Sequence, residues 1–324
     1  MQTGPGLSLW GKIDRRRSRP WAVVLFLGYF AMLFSELSMI RFVQGEDGRW
    51  VATTLEQPGQ LFSLTVTGIT LITLLAAAGF VYGLVRERNE IAAAGGIDQV
   101  GGEDLVYVFA WLHAWNTCVM LLYGLFVPQT LFAEGTPGSF LESAYLQVII
   151  LFLVPLWFSG RWSSIGLRAP VQGRRMVVTL LVLLVVIVVG LDVLVTHPVA
   201  EWFHLSLESE REKQIENEIV QAKNHHVTSI IMSLLVIGIL VPFAEEILFR
   251  GVVQTYLTAR LGALAGIIIS SLWFALMHVD LALFAPLFAI GLGLGYLRHR
   301  FQSLWGAVIL HAVNNMAGVI YYFA

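Results

Sequence analysis

The chain has 324 residues, of which 57% are hydrophobic and only 13% charged, with a formal net charge of −2. Its mean hydropathy is +0.73. A soluble domain of this length needs more polar surface than that, and the charge balance gives no sign of a nucleic-acid partner. The single cysteine, Cys118, excludes an internal disulfide and a multi-cysteine metal site. It reads as a small apolar packing residue.

The apolar residues fall in blocks of about twenty, the length a helix needs to cross hydrocarbon. Nine blocks are legible: Trp21–Ile40, Leu61–Val85, Leu105–Val127, Leu141–Phe158, Met176–Val195, Thr228–Ala244, Ala263–His278, Leu281–Leu297 and Leu304–Phe323. The expected fold is all-α, a polytopic transmembrane helical bundle of about eight or nine helices in a lipid bilayer. Its expected division is a basic cytoplasmic tail over 1–20, N-terminal transmembrane helices over 21–195, a charged extramembrane segment over 196–227 and a C-terminal core over 228–323.

In chain order, Lys12, Arg15, Arg16, Arg17, Arg19 and Pro20 precede the first block. Glu36 and Arg41 interrupt the region where a signal-peptide cleavage site would fall, so a retained first helix is expected. Gln57-Pro58-Gly59 and Gly135-Thr136-Pro137-Gly138 are turns, and 95–102 is glycine-rich. Arg86, Arg88, Arg161, Arg168, Arg174, Arg175, Arg298 and Arg300 fall on one side if every block spans. Glu46, Asp47, Arg49 and Glu134 fall on the other. The N-terminus is therefore expected in the cytoplasm, with nine spans placing the C-terminus outside. No organelle address is visible, and a bacterial inner membrane is the expected location.

Polar residues in the first five blocks (Glu36, Arg41, His113, Asn116, Glu142, Asp192) read as interhelical hydrogen bonds or helix ends. From His197 to Val227 the chain is polar. Within it Glu208–Lys223 places Ile215, Ile219 and Val220 on one face. A solvated amphipathic linker is the expected reading, and a substrate gate the alternative. His225-His226 reads as an adventitious metal pair. Gly262, Gly266, Gly291, Gly293 and Gly295 read as helix-packing positions.

The last four blocks differ. A charged side chain at mid-membrane costs about 2.5–3.5 kcal/mol, yet Glu245, Glu246, Arg250, His278, His311 and Asn315 all lie in or beside apolar runs. Glu246 and Arg250 are i, i+4, in the order favoured for a helical ion pair. Phe274 and His278 share that spacing, as do His311 and Asn315. Glu245 lies about 100° around the helix from Glu246. Three separate structural pairs would leave Glu245 without a partner. A carboxylate and two imidazoles on neighbouring helices are instead what hydrolysis requires: a proton acceptor for water, a group to orient it, and donors for an oxyanion.

Glu245-Glu246-x-x-x-Arg250, Phe274-x-x-x-His278 and His311-x-x-x-Asn315, in that order, resemble the three motifs of the CPBP family. These are intramembrane glutamic endopeptidases related to the CAAX prenyl endopeptidase of eukaryotes. The resemblance spans roughly 228–323, with Ile165-Gly166-Leu167-Arg168 a weaker sign before the fifth block. It implies a membrane endopeptidase without metal or other cofactor, acting on a membrane-associated protein or peptide. Glu245 would be the base beside His278, His311 and Asn315 would hold the oxyanion, and Glu246 and Arg250 would brace the site with Phe274. Three alternatives stay open: a metal held by Glu245, His278 and His311, a non-enzymatic immunity or regulatory scaffold, and a transporter. One geometric demand follows. If the sixth and seventh blocks both cross fully, Glu245 and His278 are separated by about 24 Å at ~1.5 Å per residue. At least one helix is then kinked, with Pro242 the candidate, or steeply tilted or re-entrant.

Overall fold

In a computed structural model, residues 17–323 are described apart from 56, 94–98, 128 and 226, with the side chains of 88–93, 224 and 225 also outside the description. Lys12, Arg15 and Arg16 of the basic tail, half of the 95–102 stretch, the Arg88 side chain and the His225-His226 pair thus lie outside the described residues. Each of the nine apolar blocks falls on helix. Among the described residues, six helices are long and apolar enough to cross a membrane, or seven with one bent pair taken as a single span. The chain is an integral, multi-pass membrane protein with a helical-bundle fold.

Helix α1 (Arg19–Leu37) carries Pro20 in its first turn, where the missing N–H costs nothing. It ends short of the first block's limit. Strands β1 (Ile40–Gln44) and β2 (Trp50–Thr54) follow as an antiparallel hairpin. Helices α2 (Gln60–Ala93) and α3 (Gly102–Phe126) complete an N-terminal trio. Helices α4 (Pro137–Ser143) and α5 (Tyr145–Trp157) form the bent pair, at 60°. Helix α6 (Gly173–Val185) continues through two π-turns into α7 (His197–Phe203). The amphipathic α8 (Glu210–His225) buries Ile219 and Ala222.

The C-terminal bundle opens with one long helix, Val227–Leu261. It comprises α9 (Val227–Leu235), a π segment Val236–Leu240, α10 (Val241–Glu246), a second π segment Ile247–Val253 and α11 (Gln254–Leu261). Three helices follow: α12 (Ala263–Leu276), α13 (Phe284–Phe301) and α14 (Trp305–Phe323). The sixth block therefore does not end at Ala244. The carboxylates halt the hydropathy run, but the backbone hydrogen bonds continue to Leu261. Nor does Pro242 break the helix. It sits just past a π segment and the span remains one helix.

Packing explains how charge is tolerated there. Every residue from Ala244 to Gln254 is buried, so this stretch has no lipid-facing side. The main core gathers on it, with Phe109, Phe158, Ile165, Phe249, Phe274 and Leu304 fully or almost fully enclosed. Helix α1 buttresses it from outside: Tyr29 packs on Phe109 and accepts a 3.1 Å hydrogen bond from Trp273 Nε1. By contrast, Leu61 is 80% exposed and Leu64 70%, as expected of a helix face turned to acyl chains.

Candidate active site in the last four helices

Glycine sets the level of the site. Gly262, at φ +84°, turns the chain between α11 and α12. A Cβ at Gly266 would lie 2.6 Å from the Thr258 backbone, so the two arms touch closely. Glu245 lies 17 residues before Gly262 and His278 lies 16 after it. Two antiparallel arms of nearly equal length bring both residues to the same height, about 25 Å from the turn at ~1.5 Å per residue. The separation expected from a turn beside Glu245 disappears because the turn is at Gly262. The cross-arm contacts follow the same register: Arg250 stacks over Phe274 at 4.4 Å and Phe249 meets Phe274 edge-on at 5.4 Å.

Glu246 and Arg250 are both fully buried and pair at 3.2 Å. Arg250 Nη2 also donates to the Gly291 carbonyl at 3.3 Å. Gln254 Nε2, one turn on from Arg250, donates to the Gly295 carbonyl at 2.8 Å. Gly291 and Gly295 thus do more than pack, since they bring α13 carbonyls within reach of the long helix. A Cβ at Gly295 would sit 2.9 Å from Ile267 and 3.0 Å from Gln254. Gly293 faces the other way, with nothing within 4 Å.

His311, on α14, links the two glutamates. Its Nδ1 lies 3.0 Å from Glu246 Oε1 and its Nε2 lies 3.9 Å from Glu245 Oε2. An ionised carboxylate can only accept, so Nδ1 carries the proton toward Glu246. The Nε2–Glu245 gap is longer than a hydrogen bond. Glu245 is 3% exposed and His311 6%.

His278 follows the last turn of α12. Its Nδ1 donates to the Phe274 carbonyl at 2.7 Å, which leaves Nε2 of the neutral ring as an acceptor. Glu245, Arg211 and His311 are near enough to act on its charge. Phe274 meets the rings of both His278 and His311 edge-on, at 4.8 and 5.8 Å. It is the shared wall of Arg250 and the two imidazoles. Beyond His278, Val279 holds φ 52°, a left-handed backbone that costs a β-branched residue about 1–2 kcal/mol. Arg211 Nη1 donates to the His278 carbonyl at 3.1 Å, and Ser209 bonds Asp280. Sequence reading missed Gln254, Arg211, Ser209 and Asp280. Only Gln254 left a signal, on the Glu246 face two turns along.

Asn315 lies one turn beyond His311 on α14. Its Nδ2 donates to the Ile237 carbonyl at 3.2 Å. The local backbone leaves that carbonyl vacant. In the π segment the Val241 N–H bonds Val236, so Ile237 would be served by residue 242, and residue 242 is a proline without an N–H. Asn315 supplies the missing donor and keeps a second amide hydrogen for other use. Asn315→Leu is therefore expected to cost about 1–3 kcal/mol, the loss of one buried partner. Adding Pro242→Ala should restore much of it, because an alanine at that position brings its own N–H. Urea melting in detergent measures both. A double variant no more stable than the single one would refute the capping role.

Among the described residues, no group of three or more His, Cys, Asp or Glu is arranged to hold a metal ion. Residues 227–317 match the family model described as type II CAAX prenyl endopeptidase Rce1-like, in keeping with the resemblance carried by the three motifs. No curated protein and no solved structure matches the chain.

Proposed function

We propose that the chain is an intramembrane endopeptidase that hydrolyses a peptide bond in a membrane-associated protein or peptide, with Glu245 as the base. The observation that carries this reading is the placement of Glu245. It is a buried carboxylate with no ion-pair partner of its own along its helix, set level with His278 and 3.9 Å from His311, inside the segment that resembles such enzymes.

The chemistry follows from the acceptors. A water between Glu245 and His278 donates one hydrogen bond to the carboxylate and one to His278 Nε2, leaving a lone pair for the scissile carbonyl. Glu245 takes the proton as the oxygen adds to the carbonyl carbon, and the carbonyl oxygen becomes an oxyanion. His311 and the free amide hydrogen of Asn315 face that charge. Collapse breaks the C–N bond while Glu245 returns the proton to the departing amine. Arg250 balances the Glu246 charge so that only one glutamate of the adjacent pair is spoken for.

This mechanism needs no metal. Purified protein stripped with a strong chelator and incubated with a pool of membrane-protein peptides should cleave at the unstripped rate, read by mass spectrometry. Loss of cleavage that zinc restores would overturn the glutamate mechanism and favour a metal held by Glu245, His278 and His311.

A further inference from the structure

The strand hairpin forms an open edge beside the site. Trp50 of β2 gives its N–H to the His204 carbonyl and accepts from the Ser206 N–H, at 2.7 and 2.8 Å. Both groups point away from β1. Partner exchange alternates along an antiparallel ladder, so the N–H and C=O of Ala52 and Thr54 point outward too. The neighbouring chain leaves after Ser206, and these four groups have no partner among the described residues.

Beside this edge lies a cavity of about 150 Å³. Three consecutive strand residues, Ala52 to Thr54, line it. Ile40 of β1, the partner of Thr54, lines it too, so the cavity covers one face of the hairpin as well as its β2 side. The opposite wall is the first turn of α8 and the residues Val279 to Leu281, which follow directly on His278. The strained turn at Val279, tied down by Arg211 and Ser209, thus forms both the end of the site helix and the wall of the cavity.

We infer that the β2 edge at Ala52 and Thr54 binds the substrate main chain as an added strand and leads it to Glu245 and His278. The inference rests on the endopeptidase reading. The occupant is an extended polypeptide because alternating donors and acceptors at strand spacing are matched only by another extended main chain. The edge already pairs in this way with residues 204–206, and the incoming strand continues that pairing. Side-chain identity matters little to such contacts, so the edge would hold a peptide in register while the site in the last four helices selects the residues cut.

The test uses full-length protein in lipid nanodiscs and a pool of random-sequence octapeptides, with a second pool N-methylated at alternate amides. In Glu245→Gln protein, the Ala52 and Thr54 amides should gain hydrogen-exchange protection of about tenfold with the first pool and none with the second, the worth of a backbone hydrogen bond. Ala52→Pro removes only an outward N–H, which an edge strand tolerates. It should raise KM about tenfold for the peptides cleaved and leave kcat near the parent value. Protection without any cleavage by the parent would uphold the edge as a peptide site and overturn the protease reading on which its guiding role depends. Cleavage with no protection and an unchanged KM would overturn the edge and leave the protease reading standing. Equal protection by both pools would also overturn it, since side-chain binding alone would suffice. If Ala52→Pro fails to fold, the exchange measurement decides by itself.

Discussion

Glu245→Gln should fold as the parent does and lose about 10²–10⁴-fold in single-turnover cleavage, the usual worth of a general base. The amide keeps the carboxylate's shape and still accepts a hydrogen bond from water, but it cannot take the proton. Because Glu245 makes no ion pair along its own helix and its nearest imidazole is 3.9 Å away, little structure depends on its charge. Substrate affinity should therefore hold while the chemical step fails, which separates this residue from a binding residue. His278→Gln offers the companion measurement. It should slow the chemical step less, because it removes the orientation of the water and leaves the base. A Glu245→Gln protein that cleaves near the parent rate would remove the base from the mechanism. An intact biological role for Glu245→Gln alongside lost cleavage would instead favour a scaffold whose function does not depend on turnover.

What the sequence disclosed, and what it did not, follows from what hydropathy measures. The nine blocks were legible because lipid-facing helices must be apolar over about twenty residues. The hairpin was not legible as such. Ile40 closes the first apolar block, so the start of the strand read as the end of a helix. Asp47-Gly48 is a hairpin signal, but its charges registered only as a loop. The end of the sixth block was misplaced for a related reason. Hydropathy falls at Glu245 and Glu246, whereas the helix continues to Leu261 because a ring of neighbours supplies their partners. That error alone created the apparent separation of Glu245 from His278. The Glu246–Arg250 pair was legible, since both ends lie on one helix. The His311–Glu246 contact and the Asn315–Ile237 bond were not. Each joins elements 65 or 78 residues apart, and the second depends on a π segment that no local pattern announces.

Glu246→Ala should act on folding first. Glu246 is wholly buried and serves two partners, Arg250 at 3.2 Å and His311 Nδ1 at 3.0 Å. Removing it leaves a guanidinium enclosed by Phe274 and the Gly291 carbonyl without its ion-pair partner. Breaking a buried pair from one side costs about 3–5 kcal/mol, a large share of the roughly 5–15 kcal/mol typical of a folded domain. Folded yield in detergent, read by size-exclusion chromatography, should fall severalfold. Glu246→Ala combined with Arg250→Met should recover much of that yield, because no charge is then stranded. Recovery of the fold should not bring back activity. His311 would still lack the acceptor that fixes its ring, so Nε2 would no longer be held toward Glu245. A double variant as poorly folded as the single one would show that the stranded charge is not the cause. A well-folded Glu246→Gln that is inactive, beside an active Glu245→Gln, would reverse the roles of the two carboxylates and make Glu246 the base.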